Sequence, residues 1–365
     1  MLETQEFQKS IAISLLTEVK LNLQILKILA DEGLGFDVVS GGELSRVIKI
    51  GADPKKIVFS GVGKTSEEIN FAVEKKILLI NAESESEIRE IDRVAKIKKR
   101  KVKIGIRLNP NTDAKTLSQI STGKKENKFG VNEKTFFKLV NFCKSSKNID
   151  LKCLSVHIGS QILDYKPYEK MLKVIDRIIH KINHKFEFID LGGGMGISYK
   201  YEDKKLNYSK YSEIIKKFLK KHKSKIIFEP GRSIIGDTGI LISKIIYIKK
   251  NDSKNFIILD AAMNDLMRPA LYGAHHKILP SIKSKKKSNK TYEFVGPICE
   301  STDKFNTLKN FQELEEKDLI AICDVGAYGM SLSSNYNVRL KPSEILIKGS
   351  KIKIIRKKQK YKDLM

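Results

Sequence analysis

From about residue 14 to residue 235, short apolar runs alternate with longer stretches whose apolar residues recur at helical spacing. The runs are 36–39, 57–59, 77–80, 103–108, 153–158, 186–191 and 225–228, with one more near 13–20. Between them, 23–31, 67–73, 84–98, 133–143, 168–182 and 211–221 read as amphipathic helices. A strand followed by a helix of this length reaches its neighbour only as a parallel strand with a crossover connection. Eight such units over roughly 220 residues fit a (β/α)8 barrel better than an open sheet. The alternation therefore predicts a closed TIM-like barrel over residues 14–236.

After Gly239 the texture changes. Runs 241–248, 256–260, 292–295, 318–323, 344–347 and 351–355 are strand-like, and turns rather than helices separate them. This predicts a second, mostly antiparallel β domain over 237–365, with residues 1–13 as a further contribution to it. The lysine-rich stretch 283–290 reads as an exposed loop.

Composition excludes several classes. No stretch of about 18 apolar residues exists, so no membrane span is expected. The N-terminus lacks a basic flank, apolar run and small-residue cleavage site, which points to a cytoplasmic protein. Cys143, Cys153, Cys299 and Cys323 lie far apart without paired spacing. Free thiols in a reducing compartment are expected, and no structural zinc site. The six histidines are scattered, and no His-based metal site is expected either. The net charge of +26 would suit nucleic acid or anionic surfaces. The lysines, however, are spread along the chain among Ile and Asn, and no aromatic-interleaved basic stripe appears. Nucleic-acid binding is not the expected role.

In a barrel of this kind chemistry sits just beyond the C-terminal ends of the strands. Those positions are polar and glycine-rich here: Asp37 with Ser40-Gly41-Gly42-Glu43; Ser60-Gly61-Val62-Gly63; Asn81 and Glu83; Arg107 with Asn109; His157 with Gly159-Ser160-Gln161; Gly192-Gly193-Gly194; and Glu229-Pro230-Gly231-Arg232. Consecutive glycines bare backbone N–H groups, which serve either an anion nest or a tight turn. No GxGxxG with a distant acid accompanies them, so a dinucleotide fingerprint is excluded. Gly63-Lys64-Thr65 lacks the spacing of a Walker loop. Glu229 and Arg232 at one mouth would serve a zwitterionic ligand or pair with each other. His157 would stack on a planar ligand or be structural.

The β domain adds Arg268 and Tyr272 in 267–272, Tyr328 between glycines in 326–329, and 296–303, which reads Gly-Pro-Ile-Cys-Glu-Ser-Thr-Asp. Cys299 beside Glu300 pairs a group that gives or takes a proton with one that grips an ammonium. By itself the stretch could equally be a turn around an ordinary thiol.

Taken together and in order, 36–43, 157–161, 191–196, 229–233, 268–272, 299–303, 327–329 and 334–337 resemble the motifs of the fold-type III pyridoxal-phosphate decarboxylases, most closely the diaminopimelate group. The resemblance runs from about Asn22 to Lys348. It implies an alanine racemase-like architecture, pyridoxal 5'-phosphate as cofactor, and a homodimer with shared active sites. The implied reaction is decarboxylation of meso-2,6-diaminopimelate to L-lysine, the last step of lysine biosynthesis. It also implies roles. His157 would stack on the pyridine ring and Glu229 would face its nitrogen. Gly194, Gly231 and Arg232 would hold the phosphate, within a cofactor set that includes Asp37, Arg107, Ser160, Gly193, Pro230 and Tyr328. Arg232, Arg268, Tyr272, Tyr328 and Glu300 would hold the substrate, and Cys299 would supply a proton. Cys299 and Glu300 would come from the second subunit. The lysine that this family links to its cofactor maps to Lys20, at the end of the first strand.

There the chain departs from the family pattern: Thr17-Glu18 stands where Tyr-Ala is expected, and about two residues are missing before Asn22. Two other readings follow from the same residues. One is a decarboxylase for ornithine or another basic amino acid; Arg268, Tyr272 and Glu300 speak against it. The other is a catalytically impaired homologue that keeps the fold.

Overall fold

The structure is a computed structural model that describes residues 11–252, 254–283 and 286–365. The expected contribution of residues 1–13 falls largely outside the described residues, as do two positions of the 283–290 loop. The chain divides into two compact units. Unit 1 comprises residues up to 197 and 204–233, and unit 2 comprises 198–203 and 234–365.

Unit 1 is a closed eight-stranded barrel in sequential order. Its strands are β1 (Ile11–Leu16), β2 (Gly35–Val38), β3 (Ile57–Phe59), β4 (Leu79–Ala82), β5 (Val102–Arg107), β6 (Ile149–Ser155), β7 (Phe188–Asp190) and β8 (Lys225–Phe228). Every neighbouring pair is parallel, and β1 closes the ring on β8. The helices are α1 (Leu23–Asp31), α2 (Gly41–Lys49), α3 (Ser66–Lys75), α4 (Glu85–Ile97), α5 (Glu133–Ser145), α6 (Lys166–Lys181) and α7 (Tyr208–Lys221). Several start on a side-chain cap that satisfies an otherwise orphaned N–H. Asn22 accepts from Gln24, Ser40 from Glu43, Ser84 from Glu87 and Asn132 from Thr135. Thr65 and Glu68 cap α3 reciprocally.

Helix α2 was not expected, because its opening Gly41-Gly42 reads as a loop. The Ser40 cap and the inward Leu44 and Val47 override the weak propensity of the glycines. At the β1 end the sequence reading needs correction. The strand expected near 13–20 stops at Leu16, and Thr17–Val19 form a 3-10 turn. Lys20 therefore follows that turn rather than ending the strand.

Parallel register keeps paired residues on one face, so the barrel interior can be followed from strand to strand. Its lower layer is apolar, with Val58, Leu79, Cys153, Phe188 and Ile227 packed together and Ala12 against them. Two residues further along their own strands the inward positions turn polar, with Ser60, Asn81, Ser155 and Asp190, and Asp37, in register with Val58, joins them; all are buried. The outward residues, such as Phe36, Ile57, Phe59 and Ile80, are fully buried under the helices.

Unit 2 holds a six-stranded sheet in the order β11-β14-β9-β10-β12-β13 and a separate hairpin, β15–β16. The strands are β9 (Leu241–Lys250), β10 (Asn255–Leu259), β11 (Ile278–Pro280), β12 (Tyr292–Val295), β13 (Lys304–Leu308), β14 (Leu319–Ile322), β15 (Glu344–Lys348) and β16 (Lys351–Arg356). Among the described residues of this unit only β10 with β12 is parallel. β11 and β13 were not anticipated. Both are short edge strands, and β11 ends on Pro280, which an edge tolerates because its missing N–H leaves no inner ladder broken. The core of this unit gathers Ile245, Ile257, Leu259, Tyr292, Phe294, Phe305, Ile320 and Ile322.

Candidate active site

The polar layer of the barrel is a cluster of buried acids. Asp190, the last residue of β7, accepts hydrogen bonds from Asn81 Nδ2 (2.8 Å) and Ser155 Oγ (3.3 Å) on Oδ2, and from Gly192 N (2.9 Å) on Oδ1. Both oxygens of Asp37 and Oε1 of Glu229 are buried without a hydrogen-bond partner among the described residues. Burial pushes Glu229 well above the carboxylate range, and the charges of Asp190 and Asp37 push it further. Asp37 is raised well above its ordinary value by burial, although the Ser60 hydroxyl pulls the other way and Asp190, Glu43 and Glu18 add to the rise. Burial also raises Asp190, but its hydrogen bonds from Glu229, Gly192, Asn81 and Ser155 oppose this. All three carboxyls are raised, and Asp190 is the one whose rise is opposed by the most hydrogen bonds.

His157, just past β6, is neutral. Burial and then the Arg107 charge lower it to about 3. Gly193 N donates to its Nδ1 at 3.1 Å, which puts the ring hydrogen on Nε2. Nδ1 lies 3.9 Å from Glu229 Oε2, and with the imidazole neutral this is a contact rather than an ion pair. Arg107 is fixed by Glu83 (2.9 Å) and lies over the Phe129 ring, while the other Glu83 oxygen accepts from Gly130 N (2.9 Å).

The glycine run is packed too tightly for any side chain. A Cβ on Gly193 would lie 2.0 Å from the Glu229 carbonyl oxygen, and one on Gly194 would lie 2.3 Å from the Gly159 carbonyl, with φ at +95°. The loop is tied by Tyr168 Oη donating to Gly193 O (3.1 Å), Ile162 N to Gly194 O (2.8 Å) and Glu229 N to Gly192 O (2.9 Å). Beside it, Arg232 Nη2 donates to Ser160 Oγ at 3.2 Å, so Arg232 is held by Ser160 rather than by Glu229. Pro230 O accepts from Leu16 N at 3.3 Å. A bared glycine loop beside an arginine and a serine is suited to a phosphate. A neutral planar imidazole and a buried acid whose carboxyl is raised suit a nitrogen heterocycle. Pyridoxal phosphate therefore fits this donor set.

The segment that departs from the family pattern borders the same cluster. Leu16 is in register with Asp37, so it takes the inward position at that level, and its Cδ1 would sit 3.3 Å from a Cβ on Gly193. Asp37 and Glu43 are raised mainly by burial, and Glu18, in the 3-10 turn, adds its charge to both rises. Lys20 is half-buried and extended, and its N–H donates to Thr17 O. Lys64 is a structural lysine. Its buried ammonium donates to Gly61 O (2.6 Å), Asn81 O (2.8 Å) and Glu87 Oε1 (2.7 Å), which disposes of any phosphate-loop role.

Unit 2 holds the remaining predicted residues. Arg268 opens helix α9 (Arg268–Tyr272), after the short α8 (Arg232–Ile235). Its Nη1 donates to His276 Nε2 (2.8 Å), and His276 Nδ1 donates to Cys323 O (2.8 Å), fixing a neutral imidazole. The guanidinium stacks 4.5 Å over Tyr199. Tyr272 is half-buried on the last turn of α9. The turn after β12 is organised by Asp303, whose carboxylate accepts from Met263 N and Ile298 N, each at 2.7 Å. It presents an exposed Cys299, and Glu300 accepts hydrogen bonds from Tyr336 Oη and Thr302 Oγ1. Tyr328 takes φ of +58°, a costly conformation for a non-glycine residue. All four cysteines are free thiols.

Sequence reading missed the buried acid cluster as a unit, together with His276, and gave no role to Glu18 or to Tyr336 of the 334–337 motif. The signal available was the recurrence of Asp, Asn or Glu at run ends, but which of them share one layer depends on register.

The family model for the pyridoxal-dependent decarboxylase, pyridoxal binding domain, matches residues 4–236. The chain belongs to this family of pyridoxal-phosphate enzymes. Its relatives include the diaminopimelate decarboxylase of Aquifex aeolicus, 39% identical over 93% of this chain and 81% of that protein. Another is the diaminopimelate decarboxylase of Helicobacter pylori strain J99, 43% identical over 94% of this chain and 85% of that protein. Among solved structures, H. pylori diaminopimelate decarboxylase complexed with L-lysine superposes with a TM-score of 0.90 at 41% identity, covering 98% of this chain and 91% of that one. The M. jannaschii enzyme in complex with L-lysine gives 0.91 at 34% identity, covering 97% and 83%. Among the described residues no helix is long and apolar enough to cross a membrane.

Proposed function

We propose that this chain decarboxylates meso-2,6-diaminopimelate to L-lysine and CO2, as a cytoplasmic homodimer serving lysine biosynthesis. The observation that carries the reading is the barrel mouth: a buried Glu229 whose carboxyl is raised by burial, a neutral His157 beside it, and a glycine loop flanked by Ser160 and Arg232. When bound, pyridoxal phosphate supplies the electron sink for the carbon from which CO2 departs.

Glu229 would face the ring nitrogen and share a proton with it, with Asp190 hydrogen-bonded behind it. His157 offers a flat, uncharged face. Gly193, Gly194, Gly231, Arg232 and Ser160 take the phosphate, and Asp37 and Arg107 complete the charge pattern around them. Arg268, Tyr272 and Tyr328 hold the distal carboxylate and its neighbours, and Glu300 holds the distal ammonium. Cys299 Sγ delivers the proton to the α carbon, from the second subunit. The retained Arg268 favours a substrate with a distal carboxylate over a simple diamine.

Lys20 is the residue we assign as the covalent anchor of the cofactor. Protein mixed with pyridoxal phosphate should gain a visible absorption band, and borohydride should fix the label on the peptide containing Lys20. Lys20→Ala should abolish both the label and CO2 release from diaminopimelate. Labelling of a different lysine would overturn the assignment of Lys20. Absence of any label, with no CO2 release, would overturn the enzyme reading and favour the impaired homologue.

A further inference from the structure

The sequence spreads its histidines widely, but folding brings two of them together on the outside of the barrel. Asp176 and His180 are four residues apart on α6, so they share one face of the helix. His222 is the residue that ends α7, where its N–H donates to Phe218 O. One ligand atom from each of the three lies within 4.8 Å of the others. His222 Nε2 is 2.7 Å from Asp176 Oδ1, and His180 Nδ1 is 3.5 Å from the same oxygen. Two ligands each bound at about 2.1 Å to a tetrahedral ion are separated by roughly 3.4 Å, so small side-chain shifts would seat one.

We propose that Asp176, His180 and His222 form a binding site for a divalent transition metal of the zinc, nickel or copper class. Two imidazoles and one carboxylate are the donor set such ions prefer over magnesium or calcium. The set leaves at least one coordination position for water. The site is supported from behind. The His222 ring packs 4.6 Å from Phe218 and 5.7 Å, edge to face, from His180. His180 Nδ1 also lies 2.7 Å from the Asp176 carbonyl oxygen, to which it donates; seating an ion on Nδ1 exchanges that hydrogen bond and its proton for the metal. Lys221 Nζ holds Asp176 Oδ2 at 3.0 Å, leaving Oδ1 as the ligand atom. An ion there would pin the end of α7 to α6.

The test uses the full chain in metal-free buffer, with zinc chloride as titrant in calorimetry and cobalt chloride as a spectroscopic probe. The wild type should show a saturable site and a cobalt visible spectrum of low coordination number. His180→Ala removes an exposed side chain and should fold normally. It should weaken zinc at least tenfold and lose the cobalt spectrum. Asp176→Asn should weaken zinc while leaving far-ultraviolet circular dichroism unchanged. Zinc should raise the melting temperature of the wild type and not of His180→Ala. Equal zinc affinity in wild type and His180→Ala would overturn the proposal, as would the absence of saturable binding.

Discussion

Replacing Gly193 by alanine tests whether the barrel mouth is built around a missing side chain. The added Cβ would lie 2.0 Å from the Glu229 carbonyl oxygen and 3.3 Å from Leu16 Cδ1. The first contact is with backbone and cannot be relieved by a rotamer change. Separating carbon from oxygen to ordinary contact needs more than an ångström of movement, shared between the Gly192–Gly194 loop and the segment after β8. Glu229 N donates to Gly192 O, so the same two segments are stitched together and the strain is not easily shed. Overpacking of this kind costs about 1–3 kcal/mol. For a unit of this size that is roughly 2–12 °C in melting temperature. The displaced group is Glu229 itself, and misplacement by about 1 Å can cost on the order of 100-fold in rate. Differential scanning calorimetry of the cofactor-free protein reads the first effect, and CO2 release at saturating cofactor reads the second. Gly63→Ala is the control, since a Cβ there meets nothing within 4 Å and φ is not in the left-handed region. If Gly193→Ala melts and turns over like Gly63→Ala, the close packing of loop on strand is not what shapes this site.

Glu43 gives a pH prediction. Burial raises it to about 7, against the Val39 N–H bond that lowers it. The folded form binds its proton more tightly than the unfolded chain, so the stability this group allows is full below its unfolded value of 4.5 and is lost as pH rises toward 7. The loss should be about 3 kcal/mol across that window, and Glu43→Gln should flatten urea-melt stability between pH 5 and 7. An unchanged slope in the variant would show that Glu43 does not titrate there. The dimer proposal is checked by mixing Lys20→Ala with Cys299→Ala. Each should be inactive or slow alone, and reshuffled subunits should recover activity if one site draws on both chains. No recovery, with subunit exchange demonstrated, would place Cys299 in the site of its own chain.

Much of the barrel was legible because its signals are local. The runs 57–59 and 225–228 match β3 and β8, and 23–31 matches α1, since burial on both faces of a parallel strand leaves a short unbroken apolar run. The site motifs were legible for the related reason that they sit at run ends, where the fold must change direction. Helix α2 and strands β11 and β13 were missed because glycine, proline and polar residues there owe their structure to caps and edges rather than to periodicity.

The sequence by itself determined the strand–helix alternation, the family and the identity of most groups lining the barrel mouth. It could not determine which residues share a level. A change in register by one residue exchanges inward for outward faces, and the register is set by packing of the whole ring. Only the closed barrel gathers Asp37, Asp190 and Glu229 in one buried cluster and so raises Glu229, first by burial and then by the other two charges. There β1 ends at Leu16 opposite Asp37, the turn Thr17–Val19 brings the Glu18 charge to bear on Asp37, and Lys20 follows that turn. Folding alone also joins His222 to Asp176 and His180, residues too far apart in the chain for spacing to reveal.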